Sequence, residues 1–174
     1  MAASIYIGSA LAAAMLLAGA GFAAQAQTSK ESPATRAVIS SADNTGAIKD
    51  VISLYEAALN ASSTDAVMPL YADDGVFMPP YNHAAVGKAA VREAYVAVFK
   101  AITLRLKFTV AEAVQMAPDW AFVRTSSAGA MTVNATGAQS TEGNQELFIF
   151  KRGADSSWKI ARYSFSSTNP PPKQ

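Results

Sequence analysis

Glu146 and Tyr163 are the two side chains of this chain best suited to moving a proton. Glu146 alternates with Phe148 and Phe150 and shares their face of a strand, while Tyr163 shares a face with Ala161 and Phe165. If both faces look inward, a carboxylate that takes a proton beside a carbonyl stands near a phenol that stabilises the enolate oxygen. The structural alternative bonds Glu146 to Arg124 or Arg162 and so fixes sheet register. Asp73 and Asp74 are a second candidate, as paired carboxylates ahead of Gly75. One of them, desolvated beside the other, would gain basicity; the plainer alternative is an Asp-Gly turn that ends a helix. His83, in Tyr81-Asn-His-Ala, is a possible proton carrier or simply an exposed loop residue. Glu112 interrupts a run in which every other even position from Leu104 to Met116 is apolar. It either faces the core with a cationic partner, Arg124 or Arg162, or sits at a bulge that releases it to solvent.

Other chemistries lack their residues. A single histidine rules out a multi-histidine zinc site and a two-histidine metal triad, so no metal is expected. Gly87-Lys88 lacks the rest of a phosphate loop, and no Gly-x-Ser-x-Gly elbow surrounds Ser62, Ser126 or Ser127. No cofactor is expected.

The elements that must position these groups follow from periodicity. Ile48, Val51, Ile52, Tyr55 and Leu59 form one stripe of a helix that starts at about Gly46 and ends in Asn60-Ala-Ser-Ser. A short second helix, capped by Thr64 and disturbed by Pro69, stops at Ala72-Asp-Asp-Gly75. Val76 to Met78 reads as a short edge strand, and a third helix from Gly87 carries Val91, Tyr95, Val98 and Phe99 on one side. Tyr55, Tyr95, Phe99 and Trp158 read as core residues. The period then changes to 2: Leu104 to Met116, Asp119 to Val133 as one bent strand or a pair, and the adjacent antiparallel strands Asn144 to Arg152 and Trp158 to Phe165. Helices followed by antiparallel strands give an α+β plan in a single domain.

No charged side chain precedes Lys30 in the 174 residues. Ala10 to Phe22 is an apolar run and Ala24-Gln25-Ala26 a small-x-small site, so residues 1–26 read as a signal peptide cleaved after Ala26. The chain is then exported, to the periplasm or outside the cell. Missing n-region Lys or Arg leaves an uncleaved anchor as the rival, although the segment is poor in large aliphatics. Residues 27–45 read as a flexible linker, 46–170 as the folded domain and 171–174 as a disordered tail. Fourteen basic against 13 acidic residues, scattered beyond the leader, leave no footprint for nucleic acid or for an anionic membrane. The absence of cysteine is compatible with any compartment.

Four local patterns, in their order and spacing, resemble the SnoaL-like branch of the nuclear transport factor 2-like superfamily, including its SgcJ/EcaC-type members. They are Leu70-Tyr-Ala-Asp-Asp-Gly-Val-Phe77, Gly87-Lys-Ala-Ala-Val91, Asn144-Gln-Glu-Leu-Phe148, and Trp158-Lys-Ile-Ala-Arg-Tyr-Ser-Phe165 followed by Thr168-Asn-Pro170. Ser166 departs from the family pattern, which often has Asn there. The resemblance implies a cone of three N-terminal helices packed on a strongly curved, mainly antiparallel sheet around a small-molecule pocket, often paired as a homodimer through the sheet. It places Asp74 and His83 near the mouth of the pocket; Tyr71, Phe77, Tyr81, Phe99, Glu112, Arg124 and Arg162 are the candidate ligand contacts. Fold alone does not select an activity. The leading expectation is an exported module binding a small, mostly apolar molecule. The first rival is a cofactor-free isomerase, cyclase or dehydratase using Glu146 or Asp74 with Tyr163 or His83; the second is a non-catalytic dimeric structural or partner-binding protein.

Overall fold

The computed structural model describes residues 42–170. The expected signal peptide, the expected linker up to residue 41 and the tail 171–174 lie outside the described residues. In chain order the elements are α1 (Ala42–Asn60), α2 (Thr64–Val67), a 3-10 turn (Met68–Leu70), β1 (Tyr71–Met78), β2 (Ala85–Val86), α3 (Lys88–Ala101), β3 (Ile102–Ala117), β4 (Trp120–Val133), β5 (Gln139–Arg152) and β6 (Trp158–Ser167). The strands form one sheet in the order β2-β1-β6-β5-β4-β3. Every neighbouring pair is antiparallel except β1 and β6, which run parallel, so the α+β architecture carries a mixed sheet. Among the described residues no helix is long and apolar enough to cross a membrane.

Helix α1 buries the stripe its spacing predicts, Ile48, Ile52, Tyr55 and Leu59. It begins at Ala42, four residues before the expected boundary, because each residue added to a formed helix gains a backbone hydrogen bond. Its last turn is fastened to β3, the edge strand. The Asn60 side chain donates to the Leu106 carbonyl (2.8 Å) and accepts from the Leu106 N–H (2.7 Å), and Glu56 accepts from the Phe108 N–H (2.7 Å). Polar side chains of a helix thus satisfy backbone groups that a further strand would otherwise meet.

The region after α1 differs from its sequence reading in three ways. Ser63, not Thr64, caps α2, its hydroxyl accepting from the Ala66 N–H at 3.2 Å. Pro69 confines the following residues to a single 3-10 turn. Ala72 to Gly75 does not end a helix but lies within β1, where the register against β6 shifts between Tyr71 and Val76. A Cβ on Gly75 would stand 2.8 Å from the Ala72 carbonyl oxygen and 2.8 Å from Cδ1 of Tyr71, so the missing side chain there makes room for the Tyr71 ring.

Two bulges decide which side chains reach the interior. Between Val110 and Glu112 the β3–β4 register slips by a residue, so the inward set Leu104, Leu106, Phe108 and Val110 does not continue to Val114 and Met116. Those two, read from alternation as inward, are exposed, and Glu112 leaves the inner face with them. On β6 the register slips opposite Ile149 and Phe150, leaving Ala161 as the extra residue. Trp158 and Ile160 point inward before the bulge and Tyr163 after it; without the slip Tyr163 would face the other way. The core thus gathers α1, α3 and the inner faces of all the long strands, with Tyr55, Tyr71, Tyr95, Phe148 and Phe150 among its fully buried side chains.

Candidate active site

Between the helices and the inner face of the sheet lies a cavity of about 140 Å³. Its wall is mostly apolar: Leu59 of α1, Phe77 and Pro79 at the end of β1, Val98 of α3, Ile102, Leu104 and Leu106 of β3, Met131 of β4 and Phe165 of β6. The polar groups that enter it are few. They are the phenols Tyr55, Tyr95 and Tyr163, the β4 hydroxyl Ser127, and three successive inward residues of β5, Glu142, Asn144 and Glu146.

Glu146 is 5% exposed. Register brings Thr125 directly opposite it and Ser127 opposite Asn144, so strand pairing alone delivers two hydroxyls to the carboxylate. Thr125 Oγ1 donates to one carboxylate oxygen and Ser127 Oγ to the other, each at 2.5 Å, and Asn144 Nδ2 donates to Ser127 Oγ at 3.4 Å. No ion pair among the described residues includes Glu146. Burial pushes its carboxyl above the usual range, and the two hydroxyls pull it part of the way back. A carboxylate without a cationic partner, in an apolar wall, is a better proton acceptor than a solvated one.

Facing it is a chain of phenols. The Tyr55 and Tyr95 hydroxyls lie 2.5 Å apart, and those of Tyr71 and Tyr95 2.9 Å apart. The Tyr163 ring packs edge-on against the Tyr55 ring at 5.4 Å. The rings are fixed by their neighbours: Tyr163 stacks on Phe148 at 4.3 Å and on Phe77 at 5.5 Å, and Phe77 stacks on Tyr95 at 5.0 Å. Burial raises the Tyr55, Tyr71, Tyr95 and Tyr163 phenols well above their ordinary value, and the Glu146 charge adds to the rise at Tyr163. They therefore remain protonated at neutral pH and act as hydrogen-bond donors.

Of the residues expected from the sequence, the cavity brings together Glu146, Tyr163 and Phe77. The others stand elsewhere. Glu112 pairs with Arg124 at 2.7 Å; the bulge turns Glu112 to the outer side of the sheet, where alternation along β4 already places Arg124. Arg162 donates to the carbonyls of Asp74 (3.1 Å) and Ala161 (2.6 Å) instead of reaching Glu146. Phe99 packs on Tyr95 without lining the cavity, and Tyr71 contributes through its bond to Tyr95. Tyr81 and His83 are exposed on the loop after β1.

Asp74 lies in a separate, wider cleft of about 580 Å³ with Asp73, Lys88, Lys151, Asp155 and Lys159. The larger volume is not the better site, because its charges already satisfy one another. Lys88 pairs with Asp73, Lys151 with Asp74, and Lys159 donates to the Pro69 carbonyl. The Lys151 bond holds the Asp74 carboxyl below its usual range, the wrong direction for a base working near neutrality.

Sequence reading missed Tyr55, Tyr95, Thr125, Ser127, Glu142 and Asn144 as site residues. The available signal was alternation: Ala121, Val123, Thr125 and Ser127 occupy one face of β4, so polar residues follow apolar ones into the interior. Among the described residues no group of three or more His, Asp or Glu side chains gathers in a metal-holding arrangement.

This geometry, a small apolar chamber under a six-stranded sheet with one buried carboxylate and a set of phenols, is consistent with an NTF2-like fold. The match to the SnoaL-like domain over residues 51–160 makes the chain a member of that family. It is similar to a ketosteroid isomerase-like protein from Erwinia carotovora atroseptica, with 38% identity and a TM-score of 0.71 over 74% of this chain and 98% of that one. A nuclear transport factor 2-like superfamily protein from Salmonella enterica shares the fold at 12% identity, with a TM-score of 0.63 over 74% of this chain and 93% of that one. A scytalone dehydratase-like protein from Novosphingobium aromaticivorans does so at 15% identity, with a TM-score of 0.64 over 72% and 85%. None of the curated proteins matches the chain.

Proposed function

We propose that the domain binds a small, mostly apolar carbonyl compound and catalyses a cofactor-free proton transfer, with Glu146 as the base. One observation carries this reading: Glu146 is buried in the wall of an apolar cavity, held by two hydroxyls and no cation, with protonated phenols in the same chamber. The carboxylate removes a proton from the carbon beside the carbonyl, and the electron pair moves to the carbonyl oxygen. Tyr55 or Tyr163 donates a hydrogen bond to that oxygen without giving up its proton, and Glu146 returns the proton to another carbon. Atoms and charge balance without a further reactant. Members of the family bind small molecules and often act as isomerases or dehydratases, which supports the assignment.

Cavity size limits the substrate. An apolar cavity of about 150 Å³ accepts a benzene-sized molecule, so a single six-membered ring suits this one. The test is conversion of 3-cyclohexenone to conjugated 2-cyclohexenone, followed by ultraviolet absorbance, with deuterium uptake from D2O by NMR as the second readout. Neither conversion nor uptake above background would reject the proposal. The rate has a predictable pH dependence. Because burial raises the Glu146 carboxyl, the base ionises at higher pH than a solvated glutamate, so kcat/KM rises with pH through a midpoint above the ordinary carboxylate range. A midpoint at or below that range would contradict the assignment of the base.

We also propose that the domain is exported and pairs as a homodimer through the outer face of the sheet. Val114, Met116, Trp120 and Leu147 are exposed large hydrophobic residues on β3, β4 and β5, and such residues favour association. Sedimentation should give a dimer for wild type and a monomer for Leu147→Glu; a monomeric wild type rejects the pairing. An intact mass that begins at Gln27, for the chain purified from its host, tests export with cleavage.

A further inference from the structure

The charge of the cavity wall says more about the ligand than its shape does. Sixteen residues line it; two are glutamates, and none is lysine, arginine or histidine. Glu146 is one carboxylate, already held by Thr125 and Ser127. Glu142 is the other, two inward steps earlier on β5, about 13 Å away along the strand between Cα atoms and with Asn144 between them. Glu142 is half-buried, and no ion pair among the described residues includes it. Of the three acidic residues of the neighbouring cleft, Asp73 and Asp74 each pair with a lysine, and Asp155 accepts from the Ser157 hydroxyl and N–H.

We propose that the ligand of this cavity is a small amine carried as its ammonium ion, with Glu142 as its anchor. This rests on the reading of the cavity as the functional site and names the class of molecule that enters it. The reasoning is electrostatic. A concave site with walls of low dielectric and fixed charge of one sign concentrates the field, attracts the opposite sign and repels the same sign. Anionic ligands such as carboxylic acids and phosphate esters meet two carboxylates and no cation to offset them. A neutral ligand leaves Glu142 half-desolvated with no charge opposite it, whereas an ammonium group supplies that charge together with N–H donors. The division of labour suits proton transfer. Glu142 fixes the charged end of the substrate, and Glu146, held by hydroxyls instead of a cation, remains free to act on the uncharged end.

The experiment uses three probes of one size: benzylamine, benzyl alcohol and benzoate, titrated at neutral pH and low salt against the protein with NMR detection of its aromatic signals. Expected are a dissociation constant for benzylamine at least tenfold below that for benzyl alcohol, no binding of benzoate, and loss of the amine preference in Glu142→Gln. Glu142→Lys, which reverses the charge at the anchor, should bind benzoate in preference to benzylamine. Equal affinity for amine and alcohol, or an amine preference that survives Glu142→Gln, overturns the inference while leaving the cavity reading in place. If none of the probes binds, the inference falls together with the reading it rests on.

Discussion

Replacing Glu146 by Gln is expected to lower the rate of proton transfer by roughly 10²- to 10⁴-fold, the contribution usual for a positioned general base. The change keeps the shape of the side chain and removes its basicity. Thr125 and Ser127 each donate to a different carboxylate oxygen at 2.5 Å; in the amide one of these hydroxyls still donates to the oxygen, and the other turns its own proton away and accepts from the nitrogen. The melting temperature should therefore move by only a few degrees. Its pH dependence should change as well. Burial makes Glu146 harder to ionise in the folded protein than in the unfolded chain, so its protonated form favours folding. That contribution is fully present below the unfolded-state pKa and is lost as pH rises through the folded-state value. Glu146→Gln removes it, and the variant should gain stability relative to wild type as pH rises across that window. Retained turnover would remove Glu146 from the mechanism. A collapse in stability with unchanged specific activity would make it a structural residue instead.

The residues behind this prediction were unequally legible in the sequence. The inward face of β5 follows from strict alternation, because Glu146, Phe148 and Phe150 repeat at the period of a strand and no bulge interrupts them. The helical stripes were legible for the same reason at period 3.6. What alternation cannot supply is a change of phase. The slip near Ala111 sends Glu112, Val114 and Met116 outward, and the slip at Ala161 aims Tyr163 inward; each depends on pairing with a neighbouring strand, which a single strand's pattern does not encode. The parallel pairing of β1 with β6 joins residues nearly ninety positions apart, so nothing local shows that Tyr71 and Val76 to Met78 belong to one strand, with Ala72-Asp-Asp-Gly75 as the irregular stretch between them. The hydroxyls were hidden differently. Thr125 and Ser127 carry no motif of their own, and their role appears only once register sets them beside Glu146.

The phenol chain gives the second large effect, and it concerns stability before catalysis. Tyr95 is the middle member, bonded to Tyr55 at 2.5 Å and to Tyr71 at 2.9 Å, with all three side chains almost fully buried. Tyr95→Phe keeps the ring and its stacking on Phe77 but leaves two buried hydroxyls without that partner. Each buried polar group deprived of a partner costs about 1 to 3 kcal/mol. With both hydroxyls stranded, the expected loss lies near the middle of the combined range, about 4 kcal/mol, or roughly 15 °C in melting temperature for a domain of this size. Tyr71→Phe, at the end of the chain, should cost less, because Tyr95 still has Tyr55. The double variant Tyr71→Phe/Tyr95→Phe should be less destabilised than the sum of the two, since it also removes the hydroxyl stranded by the single change at position 95. Additive losses would mean that the bonds are not coupled. The same substitution should slow proton transfer, because Tyr55 loses the neighbour that polarises its O–H toward the cavity. A Tyr95→Phe protein that melts within a degree or two of wild type would show that the hydroxyls do not depend on one another, and the chain would then have no claim to order the donor that faces the substrate.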